Sequence, residues 1–289
     1  MEMIAENVRK IIEQMDHHLR TELLEEGRIW VGQLWEHTYI RHQIEKRNNN
    51  GVFSLEDHIR AMVYAMLSAT IPWDRVEKNV DLQTGRIICM DEIFCNYEAE
   101  QLLKCAPDEL GSAIQKRGCA GLSTWKQMEA LITVNIPKLA AMEKEYGSID
   151  AYYQKYIEMD GTLKTLITAF SASGGKDKMV QLDVPLVCEY LRNVGYDLPK
   201  PDTHICRILG KDYLAFSSGQ PVPQFEALDL VVKMAKLTGK ANAEVDCILW
   251  LYCAAGGGNI CIANQPKCSI CEVNNLCGSD YNRKAHSAE

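Results

Sequence analysis

The 289-residue sequence is short of several things, and each shortage excludes something. It has no apolar run of the roughly 20 residues that a membrane-spanning helix needs. Its opening, MEMIAENVRKIIEQMDHHLR, lacks the basic start and apolar stretch of a secretory signal. The chain is therefore expected in the cytoplasm (nucleoid-associated) or the nucleus, and not secreted. Positive charge is also in deficit: 31 Lys and Arg face 39 Asp and Glu, for a net charge of −8. A surface for a polyanion must then be local rather than general. Nine prolines and 19 glycines are too few for a disordered chain of this length. Strand signals are scarce, RIICM (86–90) being the best, and there is no internal repeat or low-complexity linker.

What the sequence has in quantity is helical periodicity. Apolar residues recur at three-to-four spacing over 3–26 and 28–47, with NNNG (48–51) as the turn that follows. Ser54 and Asp57 have the spacing of a capping box. Pro107 beside acidic residues opens another helix, and Ser123 or Thr124 a further one. Gly147 and Ser148 mark the boundary before IDAYYQKYIEM. Asp183 and Pro185 form a cap with an early proline, Gly195 ends that helix, and Asp202 caps THICRILG. Residues 223–238 and 243–254 are the last long helices. The expected fold class is all-α.

Twelve cysteines are many for a chain of this kind, in which thiols stay reduced. Eight are scattered among apolar residues and read as small hydrophobes. The other four lie in CIANQPKCSICEVNNLC, at C-x6-C-x2-C-x5-C spacing: Cys261, Cys268, Cys271 and Cys277. Zinc favours two short cysteine knuckles, and only one C-x2-C is present. Four unrelated buried thiols would not explain so polar and turn-rich a segment. A [4Fe–4S] cluster needs four thiolates at tetrahedral corners with backbone wrapped around them, which one compact loop can supply.

The C-x6-C-x2-C-x5-C loop resembles that of the endonuclease III and adenine-glycosylase branch of the helix-hairpin-helix DNA glycosylases. Four other segments share the resemblance. VDCILWLYCAAGGGNIC (245–261) is similar to the last helix before the first ligand cysteine. PDTHICRIL (201–209) is similar to the segment carrying the superfamily's catalytic aspartate, which maps onto Asp202. MLSATIPWDRVEKN (66–79) resembles the opening of the helical barrel, with Thr70 where glutamine is usual. IQKRGCAGLSTWKQM (114–128) resembles the region of the intercalating wedge. The likeness runs from about residue 54 to the cysteines, and residues 1–53 have no counterpart. It implies two helical lobes with a DNA-binding cleft between them: a barrel domain over 54–196, and a cluster domain from 1–53 and 197–289. It also implies a monomer acting on double-stranded DNA that contains a damaged or modified base.

The implied chemistry is N-glycosidic bond hydrolysis. Positive charge builds on the sugar, and a fixed carboxylate can stabilise it and orient water. Asp202 suits that task, although aspartate is also a preferred helix cap. Bifunctional members add a Schiff-base lysine that cuts the strand. In an ungapped alignment its place is taken by Val184, which implies a monofunctional enzyme; a shifted loop would offer Lys176 or Lys178. The family's glycine hairpin, whose backbone N–H groups meet a phosphate, aligns with KMVQL (178–182) and its Gln181. The glycines of this chain lie upstream in SASGGKDK (171–178), so Gly174, Gly175 and Lys178 form either a displaced phosphate turn or a surface loop. Thr70 and Trp73 fall where a gap-filling side chain would enter DNA, and Lys267 is the one basic residue of the first cluster loop. His17, His18 and His204 lack ligand spacing and are expected to be surface or hydrogen-bonding residues. A binding or sensing protein that has lost excision, and an electron carrier using the cluster, are the two rival functions.

Overall fold

The protein is described by a computed structural model over residues 5–69, 75–76 and 79–278. Thr70 and Trp73, expected to contact DNA, lie outside the described residues. The main helices are α1 (Ala5–Arg20), α2 (Tyr39–Asn48), α3 (Leu55–Leu67), α4 (Ile88–Ile93), α5 (Pro107–Lys116), α6 (Thr124–Ala130), α7 (Ile136–Tyr146), α8 (Ile149–Asp160), α9 (Lys164–Ser171), α10 (Val184–Asn193), α11 (Thr203–Ile208), α12 (Gln224–Thr238) and α13 (Asn242–Cys253). Among the described residues there is no β-strand, and the fold is all-α as expected.

Local rules account for most of the boundaries. Ser54 Oγ accepts from Asp57 N while Asp57 Oδ2 accepts from Ser54 N, which completes the capping box of α3. Asp183 Oδ1 accepts from Leu186 N at the start of α10. Gly195 takes φ +82° after α10, where an added Cβ would meet Gln43 O at 2.4 Å. Two expectations are corrected. The helix expected over 28–47 begins only at Tyr39, and 31–37 forms two single 3-10 turns. Long-range bonds set those turns: Arg20 grips Glu36 with both terminal nitrogens, and Gln33 Nε2 donates to Gly256 O. The strand signal at 86–90 becomes one bridge, Val80 to Ile87, held by Asp81 N to Arg86 O and Ile88 N to Asn79 O, and α4 follows at once; Ile87 N, on the side away from Val80, donates to the buried Tyr64 hydroxyl.

The chain divides into two compact units, Met1–Arg41 with Asp197–Glu289, and His42–Tyr196. In the first, Ile11, Ile12 and Met15 of α1 share a core with Val231 and Met234 of α12 and Val245, Leu249 and Tyr252 of α13. In the second, every residue of α3 from Ala61 to Leu67 is buried, and α3 packs along α10. Residues 42–53 belong to this second unit and not with the chain ends, where the sequence had placed them. Three side-chain contacts tie them there: Lys46 to Asp57, Arg47 to Asp150, and Arg47 Nε to Val194 O.

Candidate functional site

In the first unit the four spaced cysteines come together. Cys261, Cys268, Cys271 and Cys277 line one open-sided cavity, with Tyr213, Ile260, Pro266, Lys267 and Asn274. The chain reaches it from the end of α13. Gly258 N donates to Leu251 O, and both Ile260 N and Cys261 N donate to Tyr252 O, so the turn folds back on its own helix. Single 3-10 turns at Cys268–Ile270 and Asn274–Leu276 then carry the remaining thiols around the cavity. Asn274 Nδ2 donates to Cys268 O, and Val273, 1% exposed, anchors the loop in the core.

Burial pushes the Cys271 thiol up to about 12. The Cys268 thiol is raised by burial and by its neighbour Cys277. Cys261 is raised first by its contact with Cys253 and then by burial. As free thiols these groups stay protonated, and ligation would release their protons. An all-sulfur donor set lining one cavity fits a thiophilic metal group. Among the described residues, no three His, Cys, Asp or Glu side chains are arranged to hold a single metal ion, so the thiols share a cavity and not a closed ion site.

Asp202 belongs to the same unit, at the start of α11. Its Oδ1 accepts from His204 N at 2.8 Å and from Ile205 N at 3.1 Å. No protein donor among the described residues reaches Oδ2, and the side chain is half-buried. The preceding segment is fixed from α13: Asp246, 2% exposed, accepts from Lys200 N, and Asp197 caps Asn242 and Ala243. Two residues on, burial holds the His204 imidazole below its ordinary range against the pull of the Asp202 charge, and its ring meets Trp250 edge-on. At the other end of α11, Arg207 Nη2 donates to Cys261 O at 2.9 Å. One short helix thus carries the carboxylate at its start and holds the first thiol segment at its end.

Gly174, Gly175, Lys176, Lys178 and Gln181 lie in the second unit. Residues 172–183 connect α9 to α10 as a helix–loop–helix. Gly174 has φ +79° and Gln181 φ +64°, and Gly174, Gly175, Lys176 and Gln181 are exposed. The second half of the loop is pinned. Asn135, fully buried at the end of the π turn Leu131–Asn135, exchanges two hydrogen bonds of 2.9 Å with the backbone of Val180. Lys138 Nζ donates to Lys176 O and Lys178 O. Burial raises the Asp177 carboxyl, but the Tyr152 and Tyr156 hydroxyls with Lys155 outweigh it and hold the group below the usual range. Met179 and Leu182 are fully buried.

Lys178 is committed within this loop. Its ammonium donates to Ser171 O at the end of α9 and to Leu182 O before α10. Burial, aided by the Lys138 charge, lowers its pKa, with Asp183 opposing. Lys176 reaches into solvent, and Lys267 is half-buried at the mouth of the thiol cavity.

One residue that sequence reasoning did not single out stands on the loop between α5 and α6. Leu122 is 99% exposed. Gly121 N donates to Thr124 Oγ1 while Cys119 is buried behind it, so the turn closes and leaves Leu122 at the tip. An apolar residue between glycine and serine at a helix start was the available signal. Comparison with protein-family models, curated proteins and solved structures finds no match to this chain.

Proposed function

We propose that the protein is a monofunctional DNA glycosylase containing a [4Fe–4S] cluster, which releases a damaged or modified base from double-stranded DNA. The observation that carries this reading is the convergence of all four spaced cysteines on one cavity, joined by α11 to the carboxylate of Asp202. Cys261, Cys268, Cys271 and Cys277 hold the cluster, whose contribution is to fix the loop.

Asp202 keeps Oδ1 on the helix N-terminus and presents Oδ2 to the reacting sugar. There the carboxylate stabilises the positive charge that develops as the N-glycosidic bond breaks. The bonding electrons leave with the base. The water oxygen then bonds to the sugar carbon, and the carboxylate receives the water's proton. Leu122 suits the gap left when a nucleotide is turned out of the stack, since apolar wedges of this kind separate base steps. The exposed backbone at Gly174–Gly175 and Gln181 supplies contact to the phosphate chain. Lys178 is a poor Schiff-base nucleophile here because its amine already serves two carbonyls.

The test has two parts. Iron and acid-labile sulfide in the purified protein should each approach four per chain, with zinc low. A panel of duplexes, each with one defined modified base, should give strand breaks only after alkali in at least one case. Nicks without alkali would favour a lyase, and Lys176 as its amine. Binding to such duplexes without release of any base would favour the sensing protein.

A further inference from the structure

Residues 1–53 have no counterpart in the resemblance, yet their described part in the first unit is built onto the thiol loop. Arg28 Nη2 donates to Gly258 O, and Gln33 Nε2 donates to Gly256 O at 2.7 Å. A Cβ at Gly258 would come within 2.8 Å of Leu23 Cδ1, so a larger residue there would displace that side chain. Deeper in, His18 of α1, 3% exposed, places Nδ1 3.0 Å from the hydroxyl of Tyr252. That hydroxyl lies 3.8 Å from Cys271 Sγ and accepts from Glu272 N at 3.2 Å. Tyr252 itself is fully buried.

We propose that Tyr252, aimed by His18, is the hydrogen-bond donor to the Cys271 sulfur, and that the N-terminal segment serves to hold the thiol loop in its ligating form. This rests on the reading of the four cysteines as cluster ligands.

Valence makes the argument. A tyrosine hydroxyl has one proton and two lone pairs. Glu272 N–H fills one lone pair. When His18 Nδ1 carries a proton it fills the other, and the phenolic proton is left for the sulfur. When Nδ1 is bare it accepts the phenolic hydrogen bond, and the sulfur has no donor there. A ligating thiolate is an anion in a buried site, which favours the arrangement that gives it a donor. Glu22 Oε2 lies 3.4 Å from the other ring nitrogen, at the long end of hydrogen bonding, and its side chain is 65% exposed, so it competes only weakly for the ring proton. Tyr252 is thus a positioning residue for the metal group, and α1 supplies the side chain that orients it.

Tyr252→Phe removes the hydroxyl and keeps the ring in its packing. The full-length variant is compared with the wild type for iron content, reduction potential and the rate at which an iron chelator bleaches the cluster absorbance. Iron content should be unchanged. The potential should fall, because a donor to a ligand sulfur stabilises the more negative, reduced cluster. Chelation should be about fivefold faster, the equivalent of one modest hydrogen bond. His18→Leu should follow Tyr252→Phe, whereas His18→Asn, which keeps an amide near the Nδ1 position, should restore wild-type behaviour. Loss of packing alone would lower the thermal midpoint of the metal-free protein and leave the potential of the loaded protein in place.

Full iron content with wild-type potential and chelation rate in Tyr252→Phe overturns the inference while the cluster reading stands. A wild-type protein that binds no iron and sulfide overturns the cluster reading, and this inference with it. If Tyr252→Phe does not fold, the His18 pair decides by the same measurements.

Discussion

Replacing Asp202 by asparagine separates the helix cap from the catalytic role proposed for it. Oδ1 carries both helix-capping bonds, from His204 N and Ile205 N, and Oδ2 is the oxygen left for chemistry. Asparagine retains an oxygen that can accept the same two bonds, and it caps helices about as well as aspartate. The stability of Asp202→Asn should therefore match the wild type within roughly 0.5 kcal/mol, the ordinary scatter of neutral substitutions. Asp202→Ala loses both acceptors and should cost about 1 kcal/mol, or roughly 2–4 °C in thermal midpoint for a chain of this size. Base release behaves differently. Both variants lack the negative charge, and both should lose about 10²- to 10⁴-fold in rate. The assay is single-turnover release from the best duplex of the panel, quenched in alkali, alongside a binding measurement that should stay within a few-fold of wild type. If Asp202→Asn retains release within about twofold, a range too small for a lost general base, Asp202 is a cap only. If Asp202→Asn destabilises as much as Asp202→Ala, the assignment of the capping bonds to Oδ1 is wrong.

Three further outcomes are expected. Lys178→Met should lower stability by about 1–2 kcal/mol in urea titrations, because the carbonyls of Ser171 and Leu182 lose their donor, and it should leave strand nicking at the wild-type level. Leu122→Ala should leave stability within about 0.5 kcal/mol, since the side chain is in solvent. It should slow release from a fully paired duplex more than from a mismatch, where opening the stack costs less. Burial holds the His58 imidazole down at about 4, so the native state resists a proton that the unfolded chain accepts near 6.5. Its contribution is complete above pH 6.5 and is lost as the pH falls towards 4, by about 3 kcal/mol at most. The urea midpoint should fall over that window, and His58→Gln should flatten the fall.

Features that depend on a few neighbouring residues were legible in the sequence. The Ser54–Asp57 box, the Asp183 and Asp202 caps and the bond from Gly195 N to Arg192 O are contacts within one turn, and each forms where the spacing places it. The stretch 28–38 was not legible, because its apolar spacing suits a helix while its bonds go to Arg20 and Gly256. The loop over 172–183 left two readings open for a similar reason. A run such as SGGKDK looks mobile, yet Asn135, Lys138, Tyr152 and Tyr156 fix its second half from other helices. Asn135 gave no warning of this role, because its partner, the backbone of Val180, lies 45 residues away and only the packed structure supplies it.

The thiol loop divides in the same way, and the division bears on how the site works. Ligand spacing is a covalent property of the chain, so CIANQPKCSICEVNNLC announces its four thiols without help. What keeps them in place is distant. Arg207 holds the Cys261 carbonyl from α11, the Tyr213 hydroxyl holds the Ala263 carbonyl, and Tyr252 stands against Cys271 with His18 behind it. The Arg207 contact also ties the loop to the helix that Asp202 begins. That helix is only Thr203–Ile208, so a shift of Cys261 has little more than one turn over which to be absorbed before it reaches the carboxylate. On the proposed reading, a cluster that takes no part in bond breaking would still govern the rate, through the position of Asp202. On this argument the N-terminal helix, although it lies far from Asp202 in sequence, belongs to the support of the same site.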